Sequence, residues 1–205
     1  MANSEREDIA RDLSAIAMQE RILCFERFDE AIAWELGARL RETAVAIAAP
    51  IVIDIRNHKR LLFGCALAGS SPDNWEWVRR KSNLVHRLFR SSYAVGLELR
   101  AKGRTLHSAR GLSEQDYAAH GGSFPIHVEG AGFQGTITVS GLPQREDHDL
   151  VVEALCEFLG KNRQELALAP PGAAADGRKL TRRSGPEPLA APRRPGSANN
   201  PRRSG

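Results

Sequence analysis

The sequence predicts an α+β fold, an antiparallel β-sheet flanked by helices and followed by a disordered basic tail. Three observations carry this reading. Apolar residues recur at helical spacing in some segments and at strand spacing in others. The strand-like runs arrive in pairs joined by short turns, as hairpins do, and not singly between helical crossovers, which argues against a doubly wound sheet. Past Leu168 the composition changes, and only two large aliphatic residues, Leu180 and Leu189, remain.

Residues 5–22 place Ile9, Leu13 and Ile16 on one face, a first helix. Residues 29–48 repeat Ile32, Leu36, Leu40, Ala44 and Ile47 at spacings of three and four, with Asp29 as N-cap and Pro50 as the stop. Ile51-Val-Ile-Asp-Ile-Arg56 alternates: Ile51, Ile53 and Ile55 face one way, Asp54 and Arg56 the other. Asn57-His58-Lys59 turns the chain, and residues 61–67 return as a second, hairpin strand. A helix over 73–90 begins near Asp73 as N-cap and carries a dense cationic set, Arg79, Arg80, Lys81, Arg87 and Arg90. Its expected state is a solvated face. A further helix runs over 93–102 to Gly103, and Ser113–Ala119 forms one capped turn. Residues 125–129 and 135–140 make a second hairpin, and a last helix runs from Pro143 to Gly160, its C′ glycine.

The formal charge is +4, but it is unevenly placed. Residues 170–205 hold eight Lys/Arg against two acids, so the tail is +6 and residues 1–169 are −2. The tail also holds seven of the eleven prolines. It cannot bury enough apolar surface to offset its ordering entropy. Its Arg-Arg pairs offer only weak nucleic-acid contact, with no aromatic side chains for stacking. No run approaches the roughly 18 apolar residues of a membrane span. The acidic start of the chain lacks a secretory n-region, and Cys24, Cys65 and Cys156 are scattered and apolar in setting. Both features point to a cytoplasmic protein with reduced thiols.

Catalytic motifs are absent. Gly130-x-Gly132-x-x-Gly135 matches a dinucleotide fingerprint by letters, but the β-branched run Thr-Ile-Thr-Val-Ser follows where a helix must start. None of the six histidines forms H-x-x-x-H, and Asp147-His148-Asp149 reads as an exposed turn. The strongest local signal is Tyr117-Ala-Ala-His120-Gly121-Gly122-Ser123-Phe-Pro-Ile126, whose glycine pair and Ser123 hydroxyl either face an anion or make a tight connection into a strand.

Phe28-Asp29, Ala33-Trp34-x-Leu36-Gly37, Asp54-Ile-Arg56, Ser71-Pro-Asp-Asn74-x-x-Trp77-x-x-Arg80-Lys81, Ala119-His-Gly-Gly-Ser-Phe-Pro-Ile126 and Gly135-Thr-Ile-Thr-Val-Ser-Gly-Leu-Pro143 with Asp147-His148 occur in one order. Over residues 18–160 this resembles uncharacterised protein family 0303, which is similar to the haem-degrading-domain family of GlcG-type and HbpS-type proteins. The resemblance implies a profilin-like domain between an N-terminal helical extension (1–17) and the tail (161–205). It further implies self-association into dimers or higher homo-oligomers, and binding of haem or a related small molecule. It brings no known catalytic residue. Candidate ligand-binding residues are Asp54, Arg56, Arg80, Lys81, Arg87, His120, Gly121, Gly122 and Ser123, with His120 as a haem axial ligand and Arg or Lys pairing propionates. Two other readings stay open: an oligomeric scaffold without a ligand, and an enzyme whose site, using Asp54, Arg56, Lys81 and His120, forms between subunits.

Overall fold

A computed structural model describes residues 3–58 and 60–172. They lie in the first of two units, Met1–Ala175 and Asp176–Gly205. The reading of a disordered tail therefore falls, for 173–205, outside the described residues. Residues 161–172 are packed on the body: Arg145 donates to the Ala169 carbonyl at 2.6 Å and Leu166 is buried.

Helix α1 (Asn3–Ile22) leads to strand β1 (Cys24–Phe25) and helix α2 (Glu30–Ala46). Hairpin β2 (Val52–Asn57) and β3 (Arg60–Ala66) precedes α3 (Asp73–Leu88), α4 (Ser92–Ala101) and the short α5 (Leu106–Arg110). Hairpin β4 (Ser123–Val128) and β5 (Gly132–Ser140) is followed by α6 (Gln144–Phe158) and α7 (Arg163–Leu166). The five strands form one sheet in the order β1-β4-β5-β2-β3. Every pairing is antiparallel except β1 with β4, which is parallel. A two-residue strand has no period for a sequence to display, so β1 was not anticipated.

Period-two alternation divides the sheet into unlike faces. Ile53, Ile55, Phe124, Ile126, Ile137 and Val139 join Leu36 and Leu40 of α2 and Val151 and Leu155 of α6 in the main core. Asp54, Ser123, Thr136, Thr138 and Ser140 alternate with them and are also buried. The strand at 52–57 is thus covered on both faces, where a half-buried strand was expected. Helix α3 supplies polar partners for this second face: Ser82 Oγ lies 2.8 Å from Thr136 Oγ1. Within the sheet, Ser123 Oγ lies 2.8 Å from Thr138 Oγ1. Buried hydroxyls are tolerable because they are paired.

Several helix boundaries follow the expected chemistry. Asp29 caps α2, its carboxylate accepting from Ile32 N at 2.9 Å, and Gly160 follows α6 at φ +63°. Others differ. Asp73 is the first residue of α3, not its cap, and accepts from Trp77 Nε1 at 2.9 Å. Ile47, placed on the buried face of α2, lies past its last residue and is exposed. The segment expected as a helical extension is packed on the body: Ile9 and Ile16 join Tyr93, Ala94 and Leu97 of α4 in one apolar cluster. The five-residue α5, with its Thr105/Ser108 capping box, is too short for an apolar repeat.

His148 corrects the reading of Asp147-His148-Asp149 as an exposed turn. It is wholly buried in α6, 5.1 Å from the Tyr93 ring, with its Nε2 2.9 Å from Gln19 Oε1. Gln19 Nε2 donates to the Leu166 carbonyl at 2.7 Å. That fixes Gln19 Oε1 as an acceptor and makes His148 Nε2 the donor. Burial, helped by the Arg145 charge, pushes His148 from 6.5 down to about 3. The unfolded chain therefore takes up this proton first, so the histidine's contribution is complete above about pH 6.5 and lost as pH falls towards 3. Between pH 7 and pH 4.5 this group is expected to remove about 2–3 kcal/mol, opposed by the neighbouring Asp149, whose pKa burial raises to about 6, so urea unfolding isolates it as the wild-type minus His148→Gln difference between the two pH values. His148→Gln keeps the donor and is expected to flatten that part of the slope.

Candidate functional site

Helix α3 positions most of the polar side chains singled out above. Near its start, the Arg80 guanidinium sits 4.1 Å over the Trp77 ring and donates to the Glu114 carbonyl at 3.3 Å. The Arg80 carbonyl accepts from Ala118 N at 3.1 Å, which docks the 113–120 loop on the helix. His120 then meets Trp77 edge-on, ring centroids 5.0 Å apart. This pair lies between two cavities and contributes to both. One, of about 290 Å³, is walled by Arg80, Leu99, Arg100, Arg104, Leu106 and Tyr117 among others. The other, of about 230 Å³, is walled by Asn74, Lys81, Ser140, Leu142, Gln144 and Asp147 among others. Partial burial, then the Lys81 and Arg80 charges, lower the His120 pKa below its usual 6.5. The imidazole is neutral at pH 7, with a lone pair to offer.

Lys81 overturns the expectation of a solvated cationic face. It is 3% exposed. Its ammonium donates to Asp147 Oδ2 at 2.8 Å, the Val139 carbonyl at 3.2 Å and Ser140 Oγ at 3.4 Å, three acceptors for three protons. The other Asp147 oxygen accepts from Leu142 N at 3.0 Å. Burial lowers the Lys81 pKa and raises that of Asp147, and in each case the partner's charge opposes the shift. A paired ammonium and carboxylate is the arrangement that satisfies every bond in this geometry.

Of the two glycines, the second meets this ion pair and the first meets α6. A Cβ on Gly121 would lie 1.8 Å from the Gln144 carbonyl oxygen. Gly122, at φ +116°, has Lys81 Nζ and Asp147 Cβ each 2.9 Å from where its Cβ would be. Ser123 is buried: its hydroxyl is shared with Thr138 and its N–H donates to Ser92 Oγ at 3.1 Å. Of the anion-loop and tight-connection readings of this segment, the packing favours the connection.

The remaining candidates lie apart. Asp54 is buried on β2 and bound twice by Arg56, once through Nε at 2.6 Å. Burial raises its pKa and Arg56 opposes the shift. Neither residue lines the His120 cavities, and neither does Arg87, which is exposed. His120, Arg80 and Lys81 are brought together; Asp54, Arg56 and Arg87 are not.

Two sets of residues escaped the sequence reading. Arg100 and Arg104 complete the first cavity. His58, His86, His127, Phe89 and Phe133 wall a separate cavity of about 480 Å³. His86, His127 and Phe133 come from α3, β4 and β5, His58 and Phe89 from just past the ends of β2 and α3, and they share no spacing. One signal was available: folding the second hairpin about residue 130 pairs His127 with Phe133, the register observed.

Comparison with known proteins agrees with this architecture. The model of the HbpS-like family, described as "Haem degrading protein HbpS-like", matches residues 28–156. A UPF0303 protein of Acidobacterium capsulatum is 55% identical over 152 residues, covering 74% of this chain and 92% of the relative. The solved Ybr137w protein superposes with a TM-score of 0.68 at 28% identity, covering 72% of this chain and 87% of its own. A solved complex of PduOC with haem shares the fold, with a TM-score of 0.55 at 15% identity over 63% of this chain and 93% of that one. The chain belongs to the HbpS-like haem-degrading protein family, alongside relatives named UPF0303 proteins.

Proposed function

We propose that the chain is a small-ligand-binding module whose ligand is haem or a related tetrapyrrole, held in the cleft around His120. One observation carries the reading: a neutral imidazole stands between two cavities whose walls combine guanidinium groups with apolar surface. The donor set fits the group. His120 offers a nitrogen to iron; Leu99, Leu106 and Trp77 offer apolar wall; Arg80, Arg100 and Arg104 offer cations to the propionates. Arg80 Nε is buried without a partner, an unmet donor within this wall. Arg100 and Arg104 are exposed, bonded at present to Glu5 and to the Ser108 carbonyl. Family membership and the haem complex of a protein with the same fold support the choice of ligand. Bound haem would supply a redox-active iron, while this chain's residues bind and orient it. The three free thiols suit a reducing compartment, the cytoplasm.

Hemin titration followed in the Soret region tests the reading. A saturable shift is expected, with affinity falling about tenfold or more in His120→Ala. Arg80→Ala is expected to weaken binding by a few fold. No saturable shift, or a shift that His120→Ala leaves untouched, contradicts it.

A second reading, a self-associating interaction module, has its own observation. Strand β3 is a sheet edge. Trp34 packs edge-on against Phe63 of that strand and is 66% exposed. Leu61 and Trp75, both exposed, lie near Gly64 on the same strand. An edge flanked by exposed apolar side chains favours association with another copy. Light scattering is expected to give a dimer or larger species that Trp34→Glu dissociates. A monomer across micromolar concentrations contradicts this reading.

A further inference from the structure

We propose that the cavity walled by His58, His86, Phe89, His127 and Phe133 is a second binding site, for a neutral planar aromatic molecule bearing an O–H or N–H donor, of which phenol is the simplest. It lies towards the opposite end of α3 from the His120 cleft: nine residues separate Trp77 from His86, about 13 Å along a helix. At about 480 Å³ it is the larger space and within the usual range for small-molecule sites.

The walls define the shape of the ligand. Phe133 is the centre, its ring 4.7 Å from Phe89, 5.3 Å from His86 and 5.9 Å from His127 between centroids. The His86 and His127 rings stand steeply to it, at 84° and 76°. Such a set of rings presents both faces and edges to an incoming aromatic ring. Among the described residues, no Lys, Arg, Asp or Glu lines it. The described walls themselves offer an ionic ligand no formal counter-charge for the hydration it would lose, which favours a neutral one.

The imidazoles define its polar group. His86 Nε2 lies 2.8 Å from the His58 carbonyl oxygen. A carbonyl only accepts, so Nε2 carries the proton and Nδ1 the lone pair. Burial, with His58 and Arg56 nearby, lowers the His86 pKa and keeps the ring neutral at pH 7. His86 Nδ1 is buried with no partner, and so is His127 Nε2. A buried acceptor without a donor is costly; both nitrogens are closed to solvent, so a ligand's O–H or N–H would remove that cost on a turn of the ring into the cavity. A hydroxyl also accepts, so it suits His127 Nε2 in either tautomer. A metal ion is not the occupant, because no cluster of three His, Cys, Asp or Glu among the described residues is placed to hold one.

The backbone marks the same place. Among the described residues, three non-glycine residues have positive φ: Ala48, His58 at +43° and Phe89 at +56°. Two of the three wall this cavity. Side-chain-bearing residues hold that conformation at a cost, and such strain gathers at ligand sites.

The test uses the full chain, ¹⁵N-labelled, titrated with phenol and, separately, with toluene as a ring of similar size without a donor. Imidazole nitrogen shifts are followed by long-range ¹⁵N–¹H correlation, with His86 assigned by its loss in His86→Gln. Phenol is expected to move His86 Nδ1 saturably, with toluene binding about tenfold more weakly or less. His127→Ala, which leaves the His86–His58 bond in place, is expected to weaken phenol binding. Equal binding of toluene and phenol would overturn the hydrogen-bonding role. No saturable shift at His86 would overturn the site. Neither result depends on whether hemin binds at His120.

Discussion

The buried ion pair of Lys81 and Asp147 ties the fold together. It joins the middle of α3 to the first turn of α6, and through Val139 and Ser140 it joins both to the end of β5. Removing two such charges from water is expensive, and mutual attraction offsets that only when the remaining bonds are made. Here they are made: Lys81 has three acceptors, and Asp147 also accepts from Leu142 N. The loop before β4 must then come within van der Waals range of the pair at Gly122, while Gly121 is pressed against the Gln144 carbonyl, and neither position has room for a side chain. The most motif-like stretch of the sequence is therefore explained by its contact with a charge pair and by the turn into a strand.

The pair also bears on ligand chemistry. Helix α3 is held over the polar face of the sheet, and each end of it contributes to a different cavity. Towards the start, Trp77 and Arg80 meet His120 in a cleft with three arginines. Towards the end, His86 and Phe89 meet two further histidines and Phe133 in a cavity whose described walls carry no formal charge. One helix thus contributes both to the proposed haem cleft and to the proposed site for a neutral ligand. A shift of α3 on the sheet would alter both.

Much of the fold was legible because it rests on periodicity. Both hairpins, the helices at 5–22, 29–48, 73–90 and 93–102, and the final helix are set by apolar repeats, and the hairpin order argued correctly for α+β. What escaped is physically different. Strand β1 and helices α5 and α7 are shorter than any repeat. The burial of Lys81, Asp147 and His148 could not be read from composition, because charged and polar residues are buried only where tertiary partners satisfy them. The site was legible in part: His120, Arg80 and Lys81 do converge, since α3 and the loop before β4 are adjacent. Arg100, Arg104 and the histidine cavity depend on how separate turns and helix ends meet, and sequence spacing does not encode that.

A double-mutant cycle on Lys81→Met and Asp147→Leu tests the central claim most directly, with unfolding free energies from urea denaturation. Each single substitution strands a buried charge and is expected to cost about 3–5 kcal/mol. The double substitution, which removes both charges, is expected to cost less than the two singles together by about 1–3 kcal/mol. Single substitutions that cost less than about 0.5 kcal/mol and simply add would show that the pair does not organise the fold.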